Sequence, residues 1–321
     1  MKIIISGLGR MGMQICQKLA QDGHKVIAHN RSPDKVDAAA GFGAIPAKTK
    51  QEAAAQFKDG EQVVLWIMLP AAIIESELAT WFSLIPKGSI IIDGGNSDYR
   101  LTRRHNEVVV ANGMILLDSG TSGGIMGLKD GFCMMLGGDK PSFEIVEPAL
   151  RTLAKPSGGY HHFGPSGSGH YVKMVHNAIE YGIMESLAEG YRMLREGPYK
   201  ELDLAAAGNL WQQGSIISSS LNRLSAEALA ENPTLAGIDG FVAESGEARW
   251  TLETAKDLGI PLPSIQASFD VRLASQNPDH SGTNFSTQLL AAMRNKFGGH
   301  ALNEERHAEK TEETDPSNPP S

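Results

Sequence analysis

The amino-acid sequence predicts an α/β protein, with a doubly wound parallel sheet in its N-terminal half and an all-helical domain after it. Up to Pro165, short β-branched runs alternate with segments of helical period, which is typical of a parallel sheet with helices on both faces. Beyond Pro165, apolar residues recur only at helical spacing. The 321 residues exceed the usual size of one domain, so two domains are expected.

Seven apolar runs in the first half are predicted to be strands, because they are short and rich in β-branched or aromatic residues. They are residues 2–6, 25–29, 62–68, 89–93 and 114–119, extended by 132–136 and 160–163. The segments between the first five are predicted to be amphipathic helices, and another helix is expected near residues 141–153.

The second half is predicted to contain helices alone. Helical spacing of apolar residues covers 171–194, 205–213, 216–230, 241–258, 261–275 and 285–296. The domain boundary is expected within residues 164–169. The predicted organisation is therefore a sheet domain over 1–165, a helical domain over 166–300 and a disordered acidic tail over 301–321.

Charge and hydropathy exclude two classes of partner. The 29 Lys and Arg residues stand against 37 Asp and Glu, and the resulting net charge of −8 would repel a nucleic-acid backbone. The apolar run 63–74 contains Pro70 and is shorter than the ~20 residues that span a bilayer, so no membrane segment is expected. The tail 301–321 has six acids, two bases and no Leu, Ile or Val after Leu302, so it cannot bury a core.

The two cysteines, Cys16 and Cys133, both lie in apolar stretches. We predict buried free thiols in a reducing compartment, and therefore a cytoplasmic protein. No spacing of cysteines suggests a metal site, so no metal is expected.

A glycine motif directly follows the first predicted strand and opens a helix. Its residues are Gly7, Leu8, Gly9, Arg10, Met11 and Gly12. In this context the first glycine permits the tight turn, the second lets the backbone approach a pyrophosphate, and the third allows close helix–strand packing. The sequence therefore predicts a Rossmann-type dinucleotide site at the helix N-terminus.

The end of the second strand favours NADP over NAD as the cofactor. The strand is followed by Asn30, Arg31 and Ser32, with Lys35 one helical turn later. A free ribose 2′-hydroxyl usually meets a carboxylate at this place, whereas a 2′-phosphate needs a cation and hydrogen-bond donors. NAD remains an alternative, because Asn accommodates either cofactor.

One face of the predicted helix after Gly169 carries unusual chemistry. Lys173, His176, Asn177, Glu180 and Tyr181 fall within an arc of roughly 140° at 100° per residue. The flanking residues are apolar, so we expect a polar stripe on an otherwise buried helix, which favours a functional site over a solvated face.

Two loops that follow predicted strands are expected to meet that stripe. Asp93–Ser97 reads Asp-Gly-Gly-Asn-Ser and carries Asn96, and residues 119–124 contain Ser122, Gly123 and Gly124. Open α/β sheets bind ligands at the carboxyl ends of their strands, and the bare amides of the second loop suit a carboxylate.

The motifs GLGRMG, NRS, DGGNS, TSGG and GHYVKMVHNAIEYG occur in this order and spacing, followed by SGEARW at 245–250 and MRNKFGGH at 293–300. In these motifs the sequence resembles the decarboxylating 6-phosphogluconate dehydrogenase family, in its shorter bacterial form, within the β-hydroxyacid dehydrogenase superfamily. The resemblance covers essentially residues 1–300. KMVHNxIEYG is its most specific part, whereas the glycine motif is common to many dehydrogenases.

The resemblance implies the oxidative decarboxylation of 6-phosphogluconate to ribulose 5-phosphate and carbon dioxide, a step of the pentose phosphate pathway in gluconate utilisation, with reduction of NADP or NAD. It implies that Lys173 is the general base, that Glu180 is the acid that protonates the enediol, and that Asn177 also belongs to the catalytic set. For Lys173 to act as a base near neutrality, its pKa must fall from about 10.4 toward 7–8.

The resemblance also implies a set of substrate ligands. Those for the carboxylate and hydroxyls are Asn96, Ser122, Gly123, Gly124, His176 and Asn177, and those for the phosphate are Tyr181, Arg272, Arg294 and His300. Asn96 is expected to contact the cofactor as well. In the family, the residues matching Arg294 and His300 reach the site of a neighbouring subunit, so a homodimer or larger homo-oligomer is expected.

Some positions depart from the family pattern. Thr121 replaces the usual valine before the SGG loop. A helical segment that commonly reads Ile-Ile-Arg-Ser in the family reads Ile-Ile-Ser-Ser at residues 216–219 here. Ser218 replaces the arginine, so that part of the pocket lacks a cation. The second helical repeat of longer members is also absent, so their dimer geometry does not transfer.

Two other functions remain open from the sequence. A non-decarboxylating β-hydroxyacid dehydrogenase would need neither a second proton donor nor a phosphate cluster, so Glu180, Arg294 and His300 favour the sugar-phosphate substrate. A catalytically silent nucleotide-binding regulator is disfavoured, because Lys173 and Glu180 are both present.

Overall fold

The computed structural model describes residues 1–302, and all but the first two residues of the predicted tail lie outside this range. The strands are β1 (Lys2–Ser6), β2 (Lys25–His29), β3 (Ile45–Ala47), β4 (Val64–Ile67), β5 (Ile90–Asp93), β6 (Ile115–Ser122), β7 (Cys133–Gly138) and β8 (Gly159–His162). The helices are α1 (Arg10–Gln21), α2 (Pro33–Ala40), α3 (Lys50–Ala54), α4 (Ile74–Trp81), α5 (Tyr99–Ala111), α6 (Gly127–Asp130), α7 (Lys140–Ala154), α8 (Ser168–Glu196), α9 (Leu204–Trp211), α10 (Ser220–Glu231), α11 (Glu247–Leu258), α12 (Pro263–Ser275) and α13 (Phe285–Gly298).

The strands form one eight-stranded sheet in the order β3-β2-β1-β4-β5-β6-β7-β8, which confirms the predicted doubly wound α/β architecture. The sheet is parallel from β3 to β6, but β7 runs antiparallel to β6 and β8 runs parallel to β7. The predicted parallel sheet therefore includes one antiparallel pair, β6 with β7, which the sequence did not indicate. The connection from β6 to β7 holds only a 3₁₀ turn and the single turn of α6, and a parallel crossover needs a dozen or more residues.

The strand β3 was not predicted. It has three residues and contains Pro46, so no period-2 pattern marks it. A proline is tolerated at that place because β3 lies at the edge of the sheet, where one side of the strand needs no ladder hydrogen bonds.

The sheet separates two apolar layers, as successive side chains of a strand point to opposite faces. Ile3 and Ile5 of β1 belong to the core cluster that includes residues of α1 and α7, whereas Ile4 lies in the cluster that includes residues of α4. All three isoleucines are fully buried. This burial explains why β1 is almost entirely apolar rather than alternating.

The chain divides into two compact units, Met1–His176 and the part from Asn177 onward. All eight strands lie in the first unit. The described part of the second unit contains helices and no strands, as predicted. Its main core cluster joins residues of α8, α9, α10 and α13. Among the described residues, none of the helices has the length and apolar character needed to cross a bilayer.

Two predicted helices begin later than expected. The helix predicted over 216–230 begins at Ser220, because the Ser219 side chain caps it by accepting a hydrogen bond from the Asn222 N–H at 3.1 Å. The helix predicted over 241–258 begins at Glu247, because Gly246 has a φ of 103° that a helix cannot contain.

Two predictions of burial were wrong for particular side chains. Cys16 is buried, and burial raises the pKa of its thiol to about 12, but Cys133 at the start of β7 is exposed. On α8, Ile179 and Ile183 are 51% and 45% exposed, so this single chain does not cover every apolar residue beside the polar stripe.

Candidate functional site

The glycine motif occupies the turn from β1 into α1, as predicted. Gly7 has a φ of 103°, and an added Cβ would lie 2.5 Å from the Met68 carbonyl oxygen. A Cβ on Gly12 would lie 2.0 Å from the Gly7 carbonyl oxygen. These two glycines are therefore required by the backbone itself.

Gly9 differs from its two neighbours in the motif. It is the N-cap of α1, it is exposed, and an added Cβ would meet no atom within 4 Å. The protein's own packing does not require a glycine at this position. The missing side chain instead leaves room for a ligand that approaches the backbone, as the pyrophosphate of a dinucleotide does.

We expect Gly9→Ala to raise the dissociation constant for the dinucleotide by tenfold or more, because the methyl group fills the space that a pyrophosphate approaches. The melting temperature should stay within about 2 °C of the parent, since the Cβ clashes with nothing. Fluorescence titration and thermal unfolding check the two parts. A large loss of stability at unchanged affinity would contradict the assignment.

The residues after β2 lie beside this turn. Asn30 Oδ1 accepts a hydrogen bond from the Leu8 N–H at 3.0 Å, which joins the end of β2 to the glycine motif. Arg31, Ser32 and Lys35 are exposed. The first carboxylate after β2 is that of Asp34, in the first turn of α2. A 2′-phosphate therefore has two cationic side chains available within one turn.

The loops after β5 and β6 have backbone shapes set by glycine and by side-chain hydrogen bonds. Asp93 accepts from the Gly95 N–H at 3.0 Å and from Ser97 Oγ at 3.2 Å, which holds the loop that carries exposed Asn96. Gly123 and Gly124 have φ values of 130° and 51°, which only glycine adopts easily in succession.

The start of α8 is fixed to the sheet by a carboxylate that the sequence analysis did not identify. Asp118 on β6 is fully buried and accepts hydrogen bonds from the Gly167 N–H at 2.7 Å and the His170 N–H at 2.9 Å. These amides belong to the unsatisfied first turn of the helix, whose dipole also favours a negative charge. An aspartate directly after the apolar residues at the start of β6 was the available signal.

Contact with β6 fixes the position of Lys173. A Cβ added to Gly120 would lie 2.3 Å from the Lys173 Cβ, so helix and strand approach as closely as a glycine permits. Lys173 itself is half-buried. The glycine therefore sets the distance between the Lys173 backbone and the carboxyl end of the sheet.

The polar face predicted on α8 lies on one uninterrupted helix from Ser168 to Glu196. Lys173 and Glu180 are seven residues apart, which places them about 10 Å apart along the axis and roughly 20° apart around it. His176 and Asn177 lie between them and are half-buried, whereas Tyr181 is buried. The helix therefore presents an amine and a carboxyl group on the same side.

Two arginines predicted to hold a phosphate lie together in the second unit. Arg272 on α12 is 2% exposed and Arg294 on α13 is 7% exposed. The Arg272 guanidinium carbon lies 3.2 Å from the centroid of the Tyr181 ring, a close cation–π contact. Its Nη1 reaches the Ala243 carbonyl oxygen only at 3.5 Å, the long limit of a hydrogen bond, which leaves donor capacity for a ligand.

Burial and mutual repulsion act on both guanidiniums. Burial lowers the pKa of Arg272, opposed by the Tyr181 and Glu180 side chains. Burial, with the positive charge of Arg272, lowers the pKa of Arg294 to about 10. Two like charges in a buried place stabilise an anion between them much more than exposed charges would.

The role at the site of a neighbouring subunit that the resemblance implies for Arg294 stays a prediction. Within its own chain, Arg294 lies within electrostatic range of Arg272 and Tyr181. This arrangement arises because α13 packs against α10 and α12. His300 follows the end of α13, is half-buried, and its carbonyl oxygen accepts from Asn295 Nδ2 at 2.6 Å.

Ser218, which replaces a family arginine, does not lie in a helix as expected. It precedes α10, is exposed, and its Oγ donates to Gln212 Oε1 at 2.9 Å.

Glu247, like Asp118, was not predicted to belong to the site. It is 3% exposed and accepts hydrogen bonds from Asn177 Nδ2 and, at 2.6 Å, from Ser245 Oγ. Ser245 Oγ in turn lies 3.4 Å from the Tyr181 hydroxyl. Glu247 therefore links two residues of the polar face on α8.

Glu185, one turn beyond Tyr181 on α8, is a buried carboxyl group. Burial and the nearby Glu189 raise its pKa from 4.5 to about 7, although Arg272 opposes the shift. A raised carboxyl pKa means that the folded protein keeps a proton which the unfolded chain releases. The stability from this group is therefore complete below pH 4.5 and is lost as the pH rises through 7.

We expect Glu185→Gln to remove this loss of stability. The unfolding free energy of the variant, relative to the parent, should rise by about 3 kcal/mol between pH 4 and pH 8. Urea unfolding at several pH values measures the difference. Glu107→Gln, which removes an exposed carboxylate on α5, is the control, and a flat difference for Glu185→Gln would contradict the expectation.

Comparison with known proteins gives two family matches. Residues 2–165 match the NAD binding domain of 6-phosphogluconate dehydrogenase, and residues 169–281 match the C-terminal domain of the same enzyme. Together these matches extend over most of the chain.

Individual relatives agree with these matches. The chain is 38% identical over 302 residues to YqeC of Bacillus subtilis (strain 168), covering 94% of this chain and 99% of that protein. It is 35% identical over 304 residues to the NAD(+)-dependent, decarboxylating 6-phosphogluconate dehydrogenase of Haloferax volcanii, covering 94% and 98%. The decarboxylating enzyme of Haemophilus influenzae is 32% identical over 289 residues, covering 86% of this chain but 60% of that longer protein.

A solved structure agrees as well. The 6-phosphogluconate dehydrogenase of Plasmodium falciparum, studied with NADP+ and with 6-phosphogluconate, superposes with a TM-score of 0.77 at 27% identity, over 91% of this chain and 70% of that one. The chain belongs to the 6-phosphogluconate dehydrogenase family.

Proposed function

We propose that the protein oxidises and decarboxylates 6-phosphogluconate to ribulose 5-phosphate and carbon dioxide, with reduction of a nicotinamide dinucleotide. The observation that carries this proposal is α8, a single helix with Lys173 and Glu180 on one side and Tyr181 against the buried Arg272. A base, an acid and an anion site are the groups that this reaction requires.

The cofactor fits the first unit of the chain. The amides at the start of α1 and the open space at Gly9 suit a pyrophosphate, and Arg31, Ser32 and Lys35 are exposed where the ribose would lie. When bound, the nicotinamide accepts a hydride from the C3 carbon of the substrate. The residues of this chain bind the two molecules and move the protons.

Lys173 takes the proton of the C3 hydroxyl as the hydride leaves, which forms a β-keto acid. Lys173 then returns this proton to the C3 oxygen, and the proton polarises the carbonyl. The bond between C1 and C2 then breaks, its electron pair enters the enediol, and carbon dioxide departs. Glu180 donates a proton to the enediol carbon while Lys173 takes the proton of the hydroxyl group on C3, which gives the ketone of ribulose 5-phosphate.

The remaining residues of the predicted site bind and orient the substrate. Arg272 and Arg294 hold the phosphate with Tyr181 and His300, while His176 and Asn177 bind hydroxyl groups. Asn96 and the amides of the loop with Ser122, Gly123 and Gly124 hold the carboxylate. Holding the carboxylate and the phosphate at opposite ends would place C3 in one orientation.

The test is to mix the purified protein with 6-phosphogluconate and either NADP or NAD, and to follow reduced nicotinamide and carbon dioxide together. Equal amounts of the two products are expected. Reduced nicotinamide without carbon dioxide would instead indicate a non-decarboxylating hydroxyacid dehydrogenase. Formation of neither product would indicate a silent nucleotide-binding protein.

We further propose that NADP is preferred over NAD. Arg31 and Lys35 offer cations for a 2′-phosphate, and Asn30 donates through its Nδ2 to the Ser32 carbonyl oxygen at 3.4 Å, which shapes this turn. Arg31→Ala should raise KM for NADP about tenfold or more and leave KM for NAD within threefold. A parallel rise for both cofactors would contradict a 2′-phosphate contact. Lys25→Ala, at the start of β2, is the control.

We also propose a homodimer or larger homo-oligomer that covers the exposed apolar side of α8. Ile179 and Ile183 lie one turn apart there, and a Cβ added to Gly182 or Gly190 would meet no atom within 4 Å. A second copy with the same surface could pack closely against it. Analytical ultracentrifugation should give a dimeric or larger mass for the parent and a lower mass for Ile183→Glu. Leu258→Glu, exposed on α11, is the control, and a monomeric parent would refute the proposal.

A cytoplasmic location is the last part of this proposal. Cys16 and the exposed Cys133 are free thiols, and an exposed free thiol suits a reducing compartment.

A further inference from the structure

Glu247 is held at the start of α11 by the local backbone. Gly246, with a φ of 103°, ends the preceding loop, and Glu247 is the first residue of the helix. The side chain is buried, and a carboxylate in the first turn is stabilised by the helix dipole. Glu247 needs this support because an isolated buried carboxylate is strongly unfavourable.

Two side chains use both oxygens of this carboxylate. Asn177 Nδ2 donates to Oε1, and Ser245 Oγ donates to Oε2 at 2.6 Å. Because the Asn177 amide NH₂ group points at Glu247, the position of the Asn177 carbonyl oxygen is fixed as well. The amide thus presents a defined acceptor on the polar face of α8.

The same carboxylate acts on the arginine pair. Its negative charge opposes the effect of burial on the pKa of both Arg272 and Arg294. Arg272 also lies within electrostatic range of Glu180 and Glu185, both on α8. Glu247 is also hydrogen-bonded to Asn177, so one side chain contacts the polar face of α8 and acts on the arginine pair.

We propose that Glu247 is a positioning and specificity-determining residue, which fixes the Asn177 amide and reduces the net positive charge of the Arg272–Arg294 pair. The inference rests on the proposed function, because it assigns a partner to that phosphate site. Two uncompensated buried guanidiniums would hold the phosphate of substrate and product equally tightly. Such uniform binding does not speed the chemical step, and it slows the release of product.

Two variants separate charge from geometry. In Glu247→Gln the charge is removed, but the amide oxygen still accepts from Asn177 and its NH₂ group can donate to Ser245. In Glu247→Asp the charge remains, but the side chain is one methylene shorter and loses its reach to Asn177. Both substitutions are conservative, and thermal unfolding identifies any variant that is not folded.

The probe is inorganic phosphate, whose dissociation constant is measured by calorimetry on the full-length protein. Glu247→Gln should bind phosphate roughly tenfold more tightly, because one unit of opposing charge is gone. Glu247→Asp should bind it within threefold of the parent, yet lower kcat more than Glu247→Gln does. Glu189→Gln, an exposed carboxylate on α8, is the control and should change neither quantity.

Unchanged or weaker phosphate binding by Glu247→Gln would overturn the proposal, since the carboxylate would then not limit the charge of the pair. The same follows if Glu247→Asp and Glu247→Gln change kcat and phosphate affinity in parallel. Absence of phosphate binding by the parent would remove the anion site and this inference with it. Failure of the proposed function is a separate result, because it shows as no reduced nicotinamide with 6-phosphogluconate.

Discussion

Replacement of Lys173 by Met is expected to lower kcat by roughly 10²–10⁴-fold or more, because the variant lacks the base that takes the C3 hydroxyl proton. Methionine keeps the unbranched shape of lysine, including the Cβ and Cγ atoms that lie nearest to Gly120. The fold and the dinucleotide site should therefore be preserved. Stopped-flow and steady-state assays measure turnover, and fluorescence titration measures the dissociation constant for NADP.

The matched control is Lys25→Met at the exposed start of β2, away from the strand ends that carry the loops. Its turnover should equal that of the parent. Retention of more than about a tenth of the activity by Lys173→Met would refute the role of this amine, since a general base contributes at least a factor of about a hundred. Loss of NADP binding would instead show that the substitution acts through the fold.

Gly120→Ala is expected to have the second large effect. The added Cβ would lie 2.3 Å from the Lys173 Cβ and 3.1 Å from the Gly169 carbonyl oxygen, so α8 must move away from β6. A shift of this kind displaces the amine by a large part of an ångström, and displacement of about 1 Å costs roughly a hundredfold in kcat. The forced overlap should also lower the unfolding free energy by about 1–3 kcal/mol.

Steady-state kinetics and urea unfolding check the two effects of Gly120→Ala separately. The control is Gly159→Ala on β8, where an added Cβ meets no atom within 4 Å. That variant should match the parent in both measurements. Parent-like kcat in Gly120→Ala would mean that the close contact between helix and strand does not set the position of Lys173.

The sequence predicted the elements that carry a local pattern. The strands β1 and β2 have the predicted bounds, because each is an apolar run with clear turn residues on both sides. The glycine motif and the polar face of α8 were found in the same way, since the spacing of residues along one turn or one helix is written in the chain. The strand β7 was predicted but its antiparallel direction was not, because strand direction depends on the length of a connection rather than on the strand's own residues.

Three features of the site depended on contacts between distant segments. Asp118 meets the start of α8 about 50 residues later, Glu247 meets Asn177 from 70 residues away, and Arg294 comes within range of Arg272 from the next helix. No periodicity marks such contacts, because they arise only when the packing of helices and strands brings their side chains together. The order of residues therefore sets which chemical groups the protein has and on which helix, strand or loop each one lies. The tertiary structure alone decided which carboxylate supports which amide or guanidinium, since burial and electrostatic range are properties of the packed chain.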